Sequence, residues 1–384
     1  MLLTATVIFW ISALALFYVY VGYPLLLSLI APFKKRRSLE PGFTPSISVL
    51  IAACNEEASI RQKLEQTLKL EYPSDKIEVL VLSDGSQDHT DEIVRQFPDP
   101  RVRLVRIDER RGKTNAQNEG VKLARGEVLI FSDATTIYHS QALTYLAGNY
   151  QDPTVGAVSG RYQYFDPKQA SPTGMGTIAF WSYENRIKTL QSRIDTLTGC
   201  CGCIYSVRKS AYTALAPDVI SDLVQPLRVI QKGYRVVFED RALAYEETTE
   251  STSEEFAMRV RVITRGMRGL LSISELLKPW THPWISFQLF SHKILRWMVP
   301  LFLVLLLAAN FALINQPYFR GLLILQLCFY ALALLQVLVP LHRRWKPLGL
   351  PLYFCTLNAA AVLGAIDLLR GRKHVVWQPV RNKG

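Results

Sequence analysis

The stretch Gly126–Tyr138, GEVLIFSDATTIY, decides how the chain folds. Val128 to Ser132 is an apolar run of strand length, and it stops on a carboxylate, Asp133, followed by Ala134 and Thr135. Three further runs of the same kind precede it: ISVLIAA, IEVLVLSD and VRLVRID. Amphipathic or polar stretches separate them, such as ASIRQKLEQTLKL, with Ile60, Leu64 and Leu68 on one helical face. Apolar runs that alternate with helical periodicity over residues 45 to 250 predict an α/β fold with a mostly parallel sheet, helices on both sides. Ligands of such sheets bind at the carboxyl ends of the strands. Asp84, in LSDGSQDHT, and Asp133 both stand at strand ends and are expected to face one crevice. An Asp before a turn also serves as a helix cap or turn former, and for Asp84 that alternative stays open.

Outward from this core the composition changes. The chain has 384 residues, 49% of them hydrophobic. Residues 1–33 carry no charged side chain and are followed by Lys34 to Arg37. That run is long enough to cross a bilayer and lacks the short apolar region and cleavage site of a secretory signal. Basic residues stay on the cytoplasmic side, so the expected N-terminus is outside and the following domain cytoplasmic. Three more uncharged runs, Trp297–Ile314, Gly321–Leu341 and Pro351–Ile366, are candidate spans. The segment before them mixes Trp280, Trp284, Phe287 and Phe290 with Lys278, His282, His292 and Lys293, which suits a helix in the headgroup region.

Four spans and an outside N-terminus would leave the C-terminus outside. Yet HRRWK at His342–Lys346 and the tail RGRKHVVWQPVRNKG are basic and favour the cytoplasm. Pro351, Asn358, Gly364 and Asp367 interrupt the last apolar run, so it is expected to be re-entrant or broken, with a cytoplasmic C-terminus.

The formal net charge is +12. Much of it flanks the apolar runs, where it orients them and attracts anionic lipid, and no nucleic-acid-binding motif appears. Among six cysteines the cluster CCGC, Cys200 to Cys203, lacks a second pair of ligands at zinc spacing. Small residues in a tight turn of a reduced, cytoplasmic protein account for it. Neither GxGxxG nor GxxxxGK[ST] is present, so the common nucleotide loops are excluded.

The successive stretches SVLIAACNEEASI, VLVLSDGSQDHT, GKTNAQNEGVKLARGEVLIFSDAT and ISDLVQPLRVIQKGYRVVFED resemble the motifs of family 2 glycosyltransferases. The nearest group is the membrane-embedded synthases similar to cellulose, hyaluronan and poly-N-acetylglucosamine synthases. The resemblance covers roughly Ile47 to Gly269. It implies a nucleotide-sugar-binding, GT-A-like domain. It also implies donor contacts from Asn55 and Glu56 beside the nucleotide, Asp84 on the uracil ring, and Lys113 toward the diphosphate. Asp133 would be the first acid of the DxD motif, facing ribose, diphosphate and a Mg2+ or Mn2+ ion. Asp222 would be the catalytic base, although an acid in the first helical turn also complements the helix dipole.

Elementary chemistry agrees with these roles. Departure of a nucleoside diphosphate loads charge onto the leaving oxygen, which a hard cation and a nearby Lys or Arg stabilise. An inverting transfer needs one base, without the second carboxylate of a retaining hydrolase.

The sequence departs from the family at three points. The second acid of DxD is Thr135, a weak ligand for a hard cation. Ser221 replaces a frequent Glu. The Gln-x-x-Arg-Trp region reads MRVRVITRGMRG, without its Trp. Arg261 or Arg265 there could contact diphosphate, or belong to a basic face near the membrane surface.

The expected organisation is an N-terminal anchor at 1–33, a cytoplasmic glycosyltransferase domain at 45–270, an interfacial region at 271–294, a C-terminal membrane region at 295–370 and a basic tail at 371–384. The expected activity is metal-dependent, inverting transfer from a nucleotide sugar, a UDP-sugar, to a cell-surface or exopolysaccharide glycan at the inner or plasma membrane. The alternatives are single-sugar transfer to a lipid-linked acceptor, and an inactive subunit working with other polysaccharide-export subunits.

Overall fold

The computed structural model describes residues 2–34, 42–165, 172–247, 252–339, 341 and 345–376. Lys35 to Arg37, His342 to Arg344 and the tail beyond Val376 lie outside them.

Four parallel strands carry the N-terminal half of the domain: β1 (Ile47–Ala53), β2 (Ile77–Asp84), β3 (Val102–Ile107) and β4 (Val128–Asp133). They are the four apolar runs of the sequence. β5 (Ile137–Tyr138), β6 (Val155–Phe165), β7 (Ile204–Arg208) and β8 (Arg235–Glu247) complete one sheet of order β3-β2-β1-β4-β7-β6-β8-β5. β7 enters antiparallel between β4 and β6, and β6 pairs parallel with β8. The sheet is therefore mixed and mostly parallel. β1 is buried at all seven positions because both faces are covered. Val49 and Ile51 join one core, whereas Leu50 joins Leu80, Leu82, Leu129 and Phe131 in the other.

Helices α3 (Ile60–Leu68), α4 (Thr90–Arg95), α5 (Lys113–Leu123), α6 (Ala142–Gly148) and α8 (Ser221–Gln231) cover these faces. Ile60 and Leu64 of α3 are fully buried, as their spacing predicts. Two longer helices, α7 (Pro172–Ile194) and α9 (Thr252–Leu271), face the apolar segments.

At the N-terminus α1 (Leu2–Phe17) and α2 (Tyr23–Ile30) are joined through a π-helical turn into one apolar helix over Leu2–Phe33. Val7, Ile11 and Leu14 of α1 are exposed, as lipid-facing side chains are. Its inner end is tied to the domain: Gln191 donates to Tyr23 Oη at 2.8 Å, and Tyr183 Oη donates to the Tyr20 carbonyl at 3.1 Å. α10 (Pro283–Leu289), a π turn and α11 (Leu295–Trp297) form a helix over Pro283–Trp297. It bends by 57° into α12 (Val299–Ala312). At 14 residues α12 is about 21 Å long, short of a bilayer's apolar thickness, so it crosses only together with the helix before it. α13 (Pro317–Leu338) is long enough by itself.

The last segment corrects one expectation. α14 (Leu350–Leu369) is an unbroken helix, not a broken or re-entrant one. Pro351 stands in its first turn, where proline is tolerated. The position of this helix bears on the conflict between charge and span count. It runs along α9: Arg259 donates to Tyr353 Oη at 3.2 Å near one end, and Thr264 Oγ1 donates to the Gly364 carbonyl at 3.3 Å near the other. A Cβ on Gly364 would stand 2.9 Å from the Ile263 side chain, so glycine sets this close approach.

Beyond it, Arg268 donates to the Arg372 carbonyl at 3.0 Å, and Lys373 lies 3.6 Å from the Asp218 carboxylate. Asp367 is buried but paired with Arg372 at 3.1 Å and His374 at 2.9 Å, which removes the cost of an acid in lipid. A helix held against the domain at both ends is expected to stay on the domain's side rather than cross. The expected path is then one crossing at the N-terminus, an outward crossing through α12 and a return through α13, which leaves Arg372 and Lys373 on the domain's side.

Impermeant maleimide labelling in intact cells checks this path, with Cys328 and Cys355 replaced by Ser. Gln316→Cys, between α12 and α13, is expected to react from outside and Lys373→Cys only after lysis. Outside labelling of Lys373→Cys would restore α14 as a fourth crossing.

Candidate active site

A cavity of about 740 Å3 opens at the carboxyl end of β4 and reaches the apolar helices. Glu56, Lys113, Asp133 and Asp222 all line it. The sheet explains the convergence. β1, β2 and β4 are parallel neighbours, so their tips deliver the Asn55 loop, Asp84 and Asp133 to one edge.

The loops after β1 and β2 hold one another. Asn55 adopts a left-handed φ of 56°, and its Oδ1 accepts the Gln87 N–H at 2.8 Å. The Glu56 N–H donates to Thr90 Oγ1 at 2.7 Å, while the Glu56 carboxylate accepts the Ser59 hydroxyl at 2.6 Å. Asp84 is buried, and its two oxygens accept the N–H groups of Arg111 and Gly112, each at 2.8 Å. It thereby fixes the turn that launches α5. Gly112 has φ +88°, and a Cβ there would stand 2.2 Å from the Val375 carbonyl oxygen, so the start of the C-terminal tail packs directly on this turn.

Lys113, in the first turn of α5, pairs with the Asp133 carboxylate and donates to the Gly202 carbonyl at 3.3 Å. Burial opposes the lysine's charge, but Asp133 outweighs it and raises the ammonium above its ordinary range. The pairing keeps a cation at the strand tip, where it could stabilise negative charge on a ligand.

Asp222 stands at the start of α8, as the sequence indicates, and the helix closes at Gly233 with φ +84°. Three elements position it. Thr114 Oγ1 of α5 donates to the Val219 carbonyl at 3.0 Å. Arg265 of α9 donates to the same carbonyl at 2.6 Å and to the Pro217 carbonyl at 3.2 Å. The Cys200 N–H donates to the Asp222 backbone carbonyl at 2.8 Å. The CCGC loop is thus the floor of the site. A Cβ on Gly202 would stand 2.8 Å from Asp222 Oδ2, which is why that turn needs glycine. Cys200, Cys201 and Cys203 are buried free thiols.

Asp222 Oδ1 is buried without a hydrogen-bond partner. Burial raises its carboxyl above the ordinary range, against the charges of Lys113, Lys188, Lys293 and Arg265. An unsatisfied, desolvated carboxylate is a stronger base than one in water.

The two arginines separate. Arg265 is buried in the hydrogen bonds just described and supports the Asp222 loop, and burial pulls it down to about 10. Arg261 lines the cavity and has no hydrogen-bond or ion-pair partner among the described residues, so it is the one available to an anion. Sequence reasoning missed Thr114 and Gly202, whose contacts lie 105 and 20 residues away and leave no local signal. It also missed Glu246, which accepts the Thr135 hydroxyl at 3.3 Å.

Among the described residues no three His, Cys, Asp or Glu side chains gather as a self-sufficient metal site. The donors fit a hard cation that uses one or two carboxylates and completes its shell with diphosphate oxygens, with Asp133 as the carboxylate at the strand tip.

Residues 48–215 match the model of glycosyl transferase family 2. A poly-beta-1,6-N-acetyl-D-glucosamine synthase of Staphylococcus epidermidis is 30% identical over 231 residues, covering 59% of this chain and 55% of that protein. The synthase of Staphylococcus aureus strain COL is 29% identical over the same length and shares. The chain thus spans about half the length of the curated relatives it matches. A mannosyltransferase of Pyrobaculum calidifontis, solved in complex with GDP-Man and Mn2+, superposes with a TM-score of 0.71 at 23% identity, over 94% of this chain and 99% of that one. The fold is GT-A-like.

Asp222→Asn is expected to lower turnover about 10²–10⁴-fold while donor binding persists. The same variant tests the burial cost. A folded-state carboxyl raised above its unfolded value takes stability away as pH rises through that window. Asp222→Asn therefore unfolds at a higher temperature than the native protein at neutral pH, and the difference closes below the ordinary carboxylate range. Turnover within a few-fold of native, with an unchanged unfolding midpoint, would remove Asp222 from both roles.

Proposed function

We propose that the protein is a membrane-bound, inverting glycosyltransferase that moves a sugar from a nucleotide donor, a UDP-sugar, to a cell-surface or exopolysaccharide glycan. The observation that carries this reading is that Lys113–Asp133 and Asp222 share one cavity while coming from separate elements. A donor diphosphate placed against Lys113, with Arg261 as a second cation, sets its sugar toward Asp222. The acceptor hydroxyl gives its proton to the Asp222 carboxylate as its oxygen attacks the anomeric carbon. The nucleoside diphosphate leaves from the opposite face with its charge held by Lys113. A divalent cation bound at Asp133 would neutralise the same diphosphate. The burial that raises Asp222 also excludes water, which favours the acceptor over hydrolysis.

A second reading concerns the acceptor. The cavity is walled by Tyr20 of the N-terminal helix and by Tyr353, Phe354 and Leu357 of α14, and most of its surface is apolar. An acceptor carried on a lipid would enter along this wall, with its sugar or phosphate end at Asp222. The relatives' poly-beta-1,6-N-acetyl-D-glucosamine synthase activity favours a glycan acceptor instead.

Purified protein in lipid nanodiscs, supplied with UDP- and GDP-sugars and Mg2+ or Mn2+, tests the reading. Release of nucleoside diphosphate from one donor, with label transferred to a glycan or to solvent-extractable lipid, is the expected result. Donor binding without turnover on any acceptor would favour an inactive subunit of a polysaccharide-secretion complex.

A further inference from the structure

Thr135 takes the place of the second acid that a cation-binding strand tip of this kind ordinarily presents, and its hydroxyl donates to the Glu246 carboxylate at 3.3 Å. Glu246 comes from β8, 111 residues further along the chain. It lines the same cavity as Asp133, Thr135 and Glu56.

The strand geometry explains how a residue so distant arrives there. β6 and β8 are paired in parallel from Val155 against Arg235 to Gly160 against Glu239. The next pair is Arg161 against Leu243, so β8 inserts Asp240, Arg241 and Ala242 where β6 advances by one residue. An insertion of three is odd, and an odd shift exchanges the face to which every later side chain points. After it, Ala244 is opposite Tyr162 and Glu246 opposite Tyr164. Tyr162 and Tyr164 both face the cavity, and so therefore does Glu246. Without the insertion Tyr245 would take that direction. β5 then clamps the region to the Asp133 loop, with Ile137 paired to Tyr245 and Tyr138 to Ala244.

We infer that Glu246 is the second carboxylate of the cation site. The chain has moved an acid from the end of β4 to the end of β8, and Thr135 bridges the two by orienting the Glu246 carboxylate. The ligand is a hard divalent cation, Mg2+ or Mn2+, shared with a nucleoside diphosphate. One Asp and one Glu supply the protein's charge, and phosphate and water oxygens supply the rest of the shell. This rests on the reading of the cavity as a nucleotide-sugar site, and it specifies which residues hold the cation there.

The test is Mn2+ binding in the presence of UDP, read from the electron paramagnetic resonance signal of free Mn2+, without turnover. Glu246→Gln is expected to weaken Mn2+ affinity by at least about tenfold, as the loss of metal-site partners commonly does. Adding Thr135→Asp to that variant is expected to recover most of the loss, because it returns a charge to the vacated position. Thr135→Asp alone should tighten binding. The double variant guards against a folding defect, since a protein damaged by Glu246→Gln would not be rescued by a second acid. Unchanged affinity in Glu246→Gln, with native protein still binding Mn2+ and UDP, overturns the role of Glu246 and leaves the nucleotide site standing. Absence of any UDP-dependent Mn2+ binding by the native protein overturns both.

Discussion

Everything at the site depends on holding two carboxylates, Asp133 and Asp222, within one largely apolar cavity. Asp133 ends β4 and Asp222 begins α8, and both belong to mostly buried segments. Two negative charges in such a place repel and are poorly solvated unless a cation stands with them. Lys113 is that cation. It pairs with Asp133, reaches the Gly202 carbonyl and lowers the carboxyl of Asp222 against the effect of burial. The turn that launches Lys113 is fixed by Asp84 through two backbone N–H groups. The chain of dependence thus runs from the tip of β2 to Lys113 and on to the two acids. The division of labour also follows: Asp133 is neutralised and suited to a diphosphate and its cation, whereas Asp222 keeps an unpartnered oxygen and suits a proton.

The apolar helices belong to the same construction. α9 supplies Arg265, which holds the loop before Asp222, and its neighbour Arg261 faces the cavity. α14 packs along α9, and the segment after it packs on Asp218 and Gly112. A helix long and apolar enough to cross a membrane also forms the cavity's wall. Its window is 33% buried, against 17% for each of the other two helices long and apolar enough to span. A long apolar helix is therefore ambiguous by itself: length and hydropathy permit a crossing, and contacts decide it.

The legible part of the sequence is the part written locally. The four runs that became β1 to β4 are short, apolar and capped by polar tips, and Asp84, Asp133 and Asp222 mark element ends. What was not legible depends on distant pairing. β7 runs antiparallel between β4 and β6, which no local pattern announces. The donor contact expected of Asp84 shares that residue with a backbone task, visible only once Arg111 and Gly112 are folded against it. Thr135 looked like a lost ligand because its partner Glu246 is set by an odd insertion in another strand. The continuity of α14 was hidden because Gly364 and Asp367 suggest a break. In the fold Gly364 admits Ile263, and Asp367 finds Arg372 and His374.

The central claim is that one buried base directs a single displacement. The stereochemistry of the first transferred bond tests it most directly, followed by proton NMR of the anomeric hydrogen in donor and fresh product. The account predicts inversion, an α-linked donor giving a β-linked product, because Asp222 deprotonates the acceptor and no second carboxylate forms a covalent sugar. Retention of the donor's configuration would require such a nucleophile and would contradict the role given to Asp222.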